Sequence, residues 1–277
     1  MKKIVVLFLF FSSSFLFSDI YNDVEWNKKV NWEDNNIEIR VKTPLDKSSG
    51  TLAAARIKSE NWVHENQTNI FFKNILDVQI NSLEDVSTII NRDPSIYYKL
   101  DELVEKVEPY QKNLTTNLEY LESIYLLPLY PDFVSVFYNQ SQFVKIPKKL
   151  DHIDYGQFTG LIIYVPPTLP LYGKNSDGSL KKVLFPRIFD EDMNLILDYT
   201  KVDPEYMKKW GMVIYGESFN EELYQSRIGI TPLRIIARGL FGKSNSDIII
   251  SKEEANKLIG TDGNLKIITQ SRILILN

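Results

Sequence analysis

The sequence predicts an α+β fold, with a mixed β-sheet in the C-terminal half packed against several helices from the N-terminal half. Three observations support it. Between about residues 45 and 127, apolar residues recur at three- and four-residue steps, as on one face of a helix. From about residue 133 onward, short β-type runs dominate, from "FTGLIIYV" to "RILIL". Proline and glycine punctuate both halves without any tandem repeat or low-complexity tract.

The chain of 277 residues begins "MKKIVVLFLFFSSSFLFSD". Two lysines, an apolar run and then serines have the form of a secretory signal peptide, too short for a convincing membrane span. Residues 1–18 are therefore expected to direct export to the periplasm. Residues 19–44 follow as an N-terminal arm and strand. The arm, "DIYNDVEWNKKVNWEDNN", is polar but carries Tyr21, Trp26 and Trp32, which suit a protein interface. "IEIRVK", 37–42, alternates apolar and polar residues as a half-buried strand does. It could add an edge to the later sheet.

Residues 45–132 read as the helical region. "TPLDKSSG" is a turn. One long helix is expected from Thr51 to Leu76, with its buried line along Leu52, Ala55, Ser59, Trp62, Asn66 and Ile70. Ser82 is the expected cap of a short helix ending near Ile90. Asp93-Pro94 fits a cap followed by a first-turn proline. The helix beyond presents Ile96, Leu100, Leu103, Val104 and Val107, and Pro109 stops it. A further helix is expected to carry Leu114, Leu118, Leu121 and Tyr125.

Residues 133–277 read as the sheet-rich region, possessing a first strand at "FVSVFY", 133–138. Strands are expected at 158–165, 182–189, 194–199, 211–216, 232–240, 246–251 and 272–276. Two helical segments lie between them, 218–227 and 251–259. Ser251 with Glu254 forms a capping box for the second. "TDGN", 261–264, reads as a tight turn. The halves could form one cooperative unit.

The stretch "LFPRIFDEDMNLILDY" gathers Asp190, Glu191, Asp192, Asn194 and Asp198. It starts like a calcium loop, but Leu195 stands where that loop needs glycine and Lys201 where it needs a bidentate glutamate. Adjacent acids on a strand point to opposite faces, which disfavours a catalytic pair. A hairpin with a charged, exposed turn is the expectation, with Pro186 marking an edge strand or bulge.

Other chemistry is weakly signalled. Asp151, His152 and Asp154 stand close together, but at a generic spacing. His64-Glu65 lacks the second histidine of a zinc helix. "GLFGKSNSD", 239–247, has Ala237 where a phosphate loop has glycine, and it leads into a strand rather than a helix. No serine-nucleophile elbow occurs. Zero cysteines exclude disulfides and thiol chemistry. A formal charge of −4 argues against a nucleic-acid partner. Arg234 and Arg238 share strand parity and could form a basic stripe that holds carboxylates of a partner subunit. No catalytic, cofactor-binding or metal residue is assigned, and no cofactor is expected.

The blocks Thr159–Ile163, Pro186–Asn194, Tyr215–Gly216, Gly229–Leu233, Ala237–Ser251 and Arg272–Leu276 come in a familiar order, behind an alanine-rich helix at 51–76. In this the chain resembles exported proteins of spirochetes and proteobacteria related to the flagellar basal-disk lipoprotein family. It departs from them in lacking the lipid-bearing cysteine, in Pro166-Pro167, and in placing Asn194 where the hairpin usually has glycine; asparagine still tolerates a left-handed turn. The resemblance implies a non-enzymatic envelope protein that assembles around a flagellar motor, with no catalytic residues to carry over. The expected function is thus a periplasmic structural or assembly part that associates with itself and with other envelope or motor proteins. The alternatives are an envelope ligand-binding module, for peptidoglycan or lipid, and a hydrolase with an unrecognised site.

Overall fold

The computed structural model describes residues 20–148 and 155–277. The expected signal segment and the Asp151, His152, Asp154 group lie outside the described residues. The chain is α+β, with mixed sheets mostly in the C-terminal half and helices from both halves packed against them.

The first sheet lies in the N-terminal half. Its strands are β1 (Glu25–Asn31), β2 (Asn36–Pro44), β3 (Pro109–Leu114) and β4 (Tyr120–Pro128), in the antiparallel order β1-β2-β4-β3. β2 alternates as expected and buries Ile37, Ile39, Val41 and Thr43. Each fully buried isoleucine contributes about 1.5–3 kcal/mol before entropy is counted. The opposite face is wet, and Glu25 pairs with Lys42 across the ladder there.

Three expectations change in this region. The supposed arm is not extended away from the body, because β1 pairs with β2 along seven residues. β2 is an interior strand of its own sheet and adds no edge to the later ones. The helix expected through Leu114 and Tyr125 is a hairpin. Leu118 takes a φ of 55° in its turn, and β4 buries Leu121, Ser123, Tyr125 and Leu127 on one face. The buried serine disguised the two-residue period.

Of the helices α1 (Leu52–Glu65), α2 (Gln67–Ile75), α3 (Val86–Arg92) and α4 (Ser95–Glu105), α1 and α2 pack on this sheet, α4 packs on α2, and α3 packs on α4. The single long helix expected from Thr51 to Leu76 is broken at Asn66, whose φ and ψ of −105° and 6° leave the helical region. Thr51 caps α1, accepting from the Ala54 N–H. α3 is capped by Asp85 and not by Ser82. Asp93 accepts from the Ser95 N–H at 3.0 Å, so the expected cap operates with Pro94 beside it. Ile96, Leu100 and Val104 are buried as their spacing required.

"FVSVFY" is a helical turn and not a strand. It includes α5 (Val134–Phe137), which follows a turn starting at Leu129 and buries Phe133 and Val134. A run of β-branched and aromatic residues gave the strand signal; packing around a helical turn satisfies the same residues.

The second sheet is parallel, with β5 (Leu161–Tyr164), β10 (Ile214–Gly216), β11 (Leu233–Ile236) and β14 (Ile273–Leu276) in the order β10-β14-β5-β11. A minor pair, β6 (Leu169–Pro170) with β7 (Asp177–Gly178), follows β5. The third sheet has β8 (Ile188–Asp190), β9 (Leu195–Leu197), β12 (Gly239–Phe241) and β13 (Asp247–Ile250), in the order β12-β13-β8-β9. The expected strand at 232–240 therefore splits at Ala237-Arg238, and its two parts enter different sheets. Four helices complete this half: α6 (Pro204–Trp210), which the sequence reading missed, α7 (Gln225–Ile228), α8 (Lys252–Ile259) and α9 (Asp262–Thr269). "TDGN" is not a free turn but the capped start of α9, with Thr261 accepting from the Asn264 N–H. The capping box of Ser251 and Glu254 on α8 is present.

The hairpin of β8 and β9 is formed as expected. Pro186 lies ahead of β8, which is interior, and the irregularity falls at Ile188/Phe189. Asp190 is buried and not exposed. Its carboxylate accepts from the N–H groups of Asp192 and Asn194 and from the Asn194 side chain. Met193, not Asn194, takes the left-handed conformation.

One continuous apolar core joins both halves. Main-chain bonds reinforce it, from Phe185 to Ile80 and from Ser244 to Ser82. The Arg187 guanidinium holds the fully buried Asp247 carboxylate through Nε and Nη2 and donates to Ser82 Oγ at 2.8 Å. Arg227 is buried without a carboxylate; it donates to the carbonyls of Trp210, Gly211 and Ser271, closing the end of α6. Burial pushes its guanidinium down to about 9.

Candidate interaction surface

The parallel sheet turns Leu161, Ile163, Leu233, Ile235, Ile273 and Ile275 inward to the main core. Its other face presents Ile162, Leu274 and Leu276, covered by Tyr224 and Ile228. That cover stops short of β11. Parallel strands are normally buried on both faces, so the uncovered part of this one is unusual.

The sequence blocks that looked familiar build the place where the cover ends. Thr159 donates from Oγ1 to the Ile228 carbonyl at 2.8 Å and accepts from the Thr231 N–H at 3.0 Å. Gly160 lies so close to the end of α7 that a Cβ there would stand 2.3 Å from the Ile228 oxygen. The start of β5 and the segment before β11 are thus fixed to each other without side-chain bulk between them.

Beyond them, Arg234 holds Glu221 through Nε and Nη2, at 2.9 and 2.5 Å to different carboxylate oxygens. Tyr164 donates to Glu221 at 2.5 Å and stacks on Phe219 with centroids 6.3 Å apart and planes 8° from parallel. The Arg234 bond, the largest effect, holds the Glu221 carboxyl below its usual range. Burial, then Glu221, raises the Tyr164 hydroxyl. A cavity of about 330 Å³ opens beside the pair, walled by Glu222, Gln225, Ile230 and Pro232. Around it four large apolar side chains stand in solvent: Phe219, Leu223, Ile230 and Ile236, each between 56% and 78% exposed.

β11 is also a sheet edge. Leu233 and Ala237 donate to the carbonyls of Gly160 and Tyr164. The residues between them in alternation, Arg234 and Ile236, turn their main-chain groups to the open side.

The expected interface residues divide. Arg234 is exposed at this edge, and Arg238 is exposed just beyond it, where its N–H donates to the Ile249 carbonyl of the third sheet. Arg234 already has Glu221 of its own chain. Tyr21 stacks on Trp62, with centroids 5.0 Å apart, and Trp32 meets the Tyr215 ring edge-on at 5.4 Å; both are partly buried against the core. Trp26 stays at the surface under Lys73. Phe219, Leu223, Ile230 and Ile236 were missed. Ile236 lies between Ile235 and Ala237 in a run that reads as a buried strand, and Phe219, Leu223 and Ile230 come from short connecting segments, so no local pattern marks them as exposed.

The acids of the 190s do not converge. Asp190 serves its own turn, Asp192 pairs with Lys252, Glu191 accepts from the Lys252 N–H, and Asp198 accepts from Thr200. Among the described residues, no group of three or more His, Asp and Glu side chains is placed to hold a metal ion. His64 is exposed on α1. Among the described residues, no helix is long and apolar enough to cross a membrane.

Comparison with known families gives two matches. Residues 23–136 match the family model described as Treponema pallidum Tp0624, N-terminal domain, and residues 160–277 match the one described as Treponema pallidum Tp0624, second domain. Each covers less than half of the chain. The chain is similar to these two domains in that order. Comparison with curated proteins found no match. The gap between the two matched regions lies just beyond the change of pattern near residue 133, and the shared apolar core joins them.

Proposed function

We propose that the protein is a non-enzymatic structural part of a periplasmic assembly, and that it joins a second copy of itself through the open edge of β11. The observation that carries this is the conjunction at one edge: main-chain groups at Arg234 and Ile236 with no partner among the described residues, four exposed apolar side chains, and a charged pair whose members could each find a copy's opposite charge. Antiparallel pairing of two β11 strands about a two-fold axis would satisfy the edge and cover the apolar rim. The resemblance to flagellar basal-disk lipoproteins favours an assembly near the motor, and residues 1–18 favour export.

The test is sedimentation of the protein at tens of micromolar, alongside an I236D/I230D variant, with cross-linking capture in cells. The expected result is a reversible dimer that the variant weakens at least tenfold, equivalent to about 1.4 kcal/mol. Monomeric behaviour of both proteins, with nothing captured in cells, overturns the proposal. Capture of a different envelope protein through the same residues overturns self-association while keeping the surface.

A further inference from the structure

A second groove lies elsewhere, where the two matched regions meet. One wall is the segment from Gln79 to Thr88, ahead of and entering α3. The other is formed by Lys181-Lys182 and the turn between β12 and β13, Lys243 to Asn245. Its volume is about 440 Å³, within the range of small-molecule sites. The walls are tied together beneath: Ser244 donates to the Ser82 carbonyl, and Arg187 reaches Ser82 from the Asp247 pair.

Three ammonium groups line this groove in a chain whose formal net charge is −4. Among the described residues no acid pairs with Lys181 or Lys243; Lys182 has a 3.9 Å contact with Glu217 and lies over the Tyr215 ring, 5.9 Å from its centroid. The one acid in the lining, Asp85, is occupied; it accepts from the N–H and hydroxyl of Thr88 and from Ser87. Asp247 is held by Arg187. The donors to Asp85 are neutral, so Asp85 keeps its charge and offsets one of the three lysines, leaving the lining with a surplus of two positive charges. Gln79 and Ser244 add neutral donors, and Leu83, 59% exposed, supplies an apolar wall.

We propose that this groove binds a phosphate-bearing ligand, with Lys181, Lys182 and Lys243 as its cationic contacts and Leu83 against the organic part. Phosphate is favoured over carboxylate by the donor type. A carboxylate is best matched by the planar fork of arginine, and the only guanidinium at the groove, Arg187, is committed to Asp247. Separate ammonium point charges from two walls suit a group with several anionic oxygens. The phosphate could belong to a free metabolite or to a lipid headgroup.

The experiment is calorimetric titration of the protein with inorganic pyrophosphate and with citrate, and co-sedimentation with phosphatidylglycerol or phosphatidylcholine vesicles. A K181E/K243E variant changes two exposed side chains; K47E/K106E is the control at exposed lysines elsewhere. Expected is saturable pyrophosphate binding that K181E/K243E weakens at least tenfold and K47E/K106E leaves unchanged, with identical melting curves. The same dependence confined to phosphatidylglycerol vesicles supports the headgroup as the source. Equal affinity for citrate overturns the phosphate assignment. Absence of saturable binding to every probe, or binding that survives K181E/K243E, overturns the site.

Discussion

Arg187→Met should destabilise the protein strongly, because it leaves the Asp247 carboxylate in a place with no water. Asp247 is fully buried, whereas the Arg187 side chain keeps 31% of its exposure. The variant removes both guanidinium bonds to Asp247 and the bond to Ser82 Oγ, leaving only the Arg187 N–H at 3.2 Å as a donor to that carboxylate. Removing one partner of a buried pair costs about 3–5 kcal/mol, and the exposure of Arg187 places this case near the lower end. For a chain of this size, about 3 kcal/mol lowers the melting temperature by roughly 6–12 °C. Urea denaturation followed by circular dichroism measures the loss. The companion variants are Asp247→Asn and the double change R187M/D247N. If the stranded charge is the cause, the double variant recovers a large part of the loss, with a coupling of more than about 1 kcal/mol in the cycle. A loss below about 1 kcal/mol for Arg187→Met alone, or purely additive singles, would refute the reasoning.

Two further outcomes follow from the structure. Glu221 has its carboxyl lowered in the folded state by Arg234, so its contribution is fully present above the unfolded glutamate value of about 4.3 and is lost as pH falls through the lower folded value. Glu221→Gln should therefore flatten the acid limb of a stability-against-pH curve below about pH 4.3, by less than about 1 kcal/mol because the pair is partly solvated; an unchanged limb measured by thermal melts would argue against the pairing. Gly211 has a φ of 72°, and a Cβ there would fall 2.1 Å from the buried Tyr130 ring. Gly211→Ala should cost about 3 kcal/mol or more from backbone strain and displacement together, and a denaturation midpoint equal to that of the parent would contradict this geometry.

Where the sequence could be read, a local pattern and the tertiary environment agreed. β2 alternates strictly and has one dry face; α8 carries its own capping box; the β8–β9 turn is rich in residues that bond their own backbone. Where reading failed, packing overruled the pattern. Leu114, Leu118, Leu121 and Tyr125 fit a helical face, yet Leu118 is the pivot of a turn and Ser123 hides among the buried side chains. "FVSVFY" is rich in β-branched and aromatic residues like a strand, but all of it except Ser135 is buried or partly buried, so a helical turn serves equally well. The interaction surface was legible only through Arg234 and Arg238. Its apolar members come from three separate segments, and only folding shows that none of the described residues covers them. The lysine groove is assembled from segments about 100 residues apart in sequence, a distance at which spacing carries no message.

The order β10-β14-β5-β11 places the last-made of these four strands between two earlier ones. During translation β10 has no neighbour to bond until Ile273–Leu276 emerges, since β14 alone links it to β5. A nascent chain halted before that point would carry an incomplete sheet, with β10 unpaired and one edge of β5 open. Quality-control proteases would therefore meet a vulnerable intermediate until β14 was added, and a stop codon ahead of Ile273 would yield a product that is cleared from the cell.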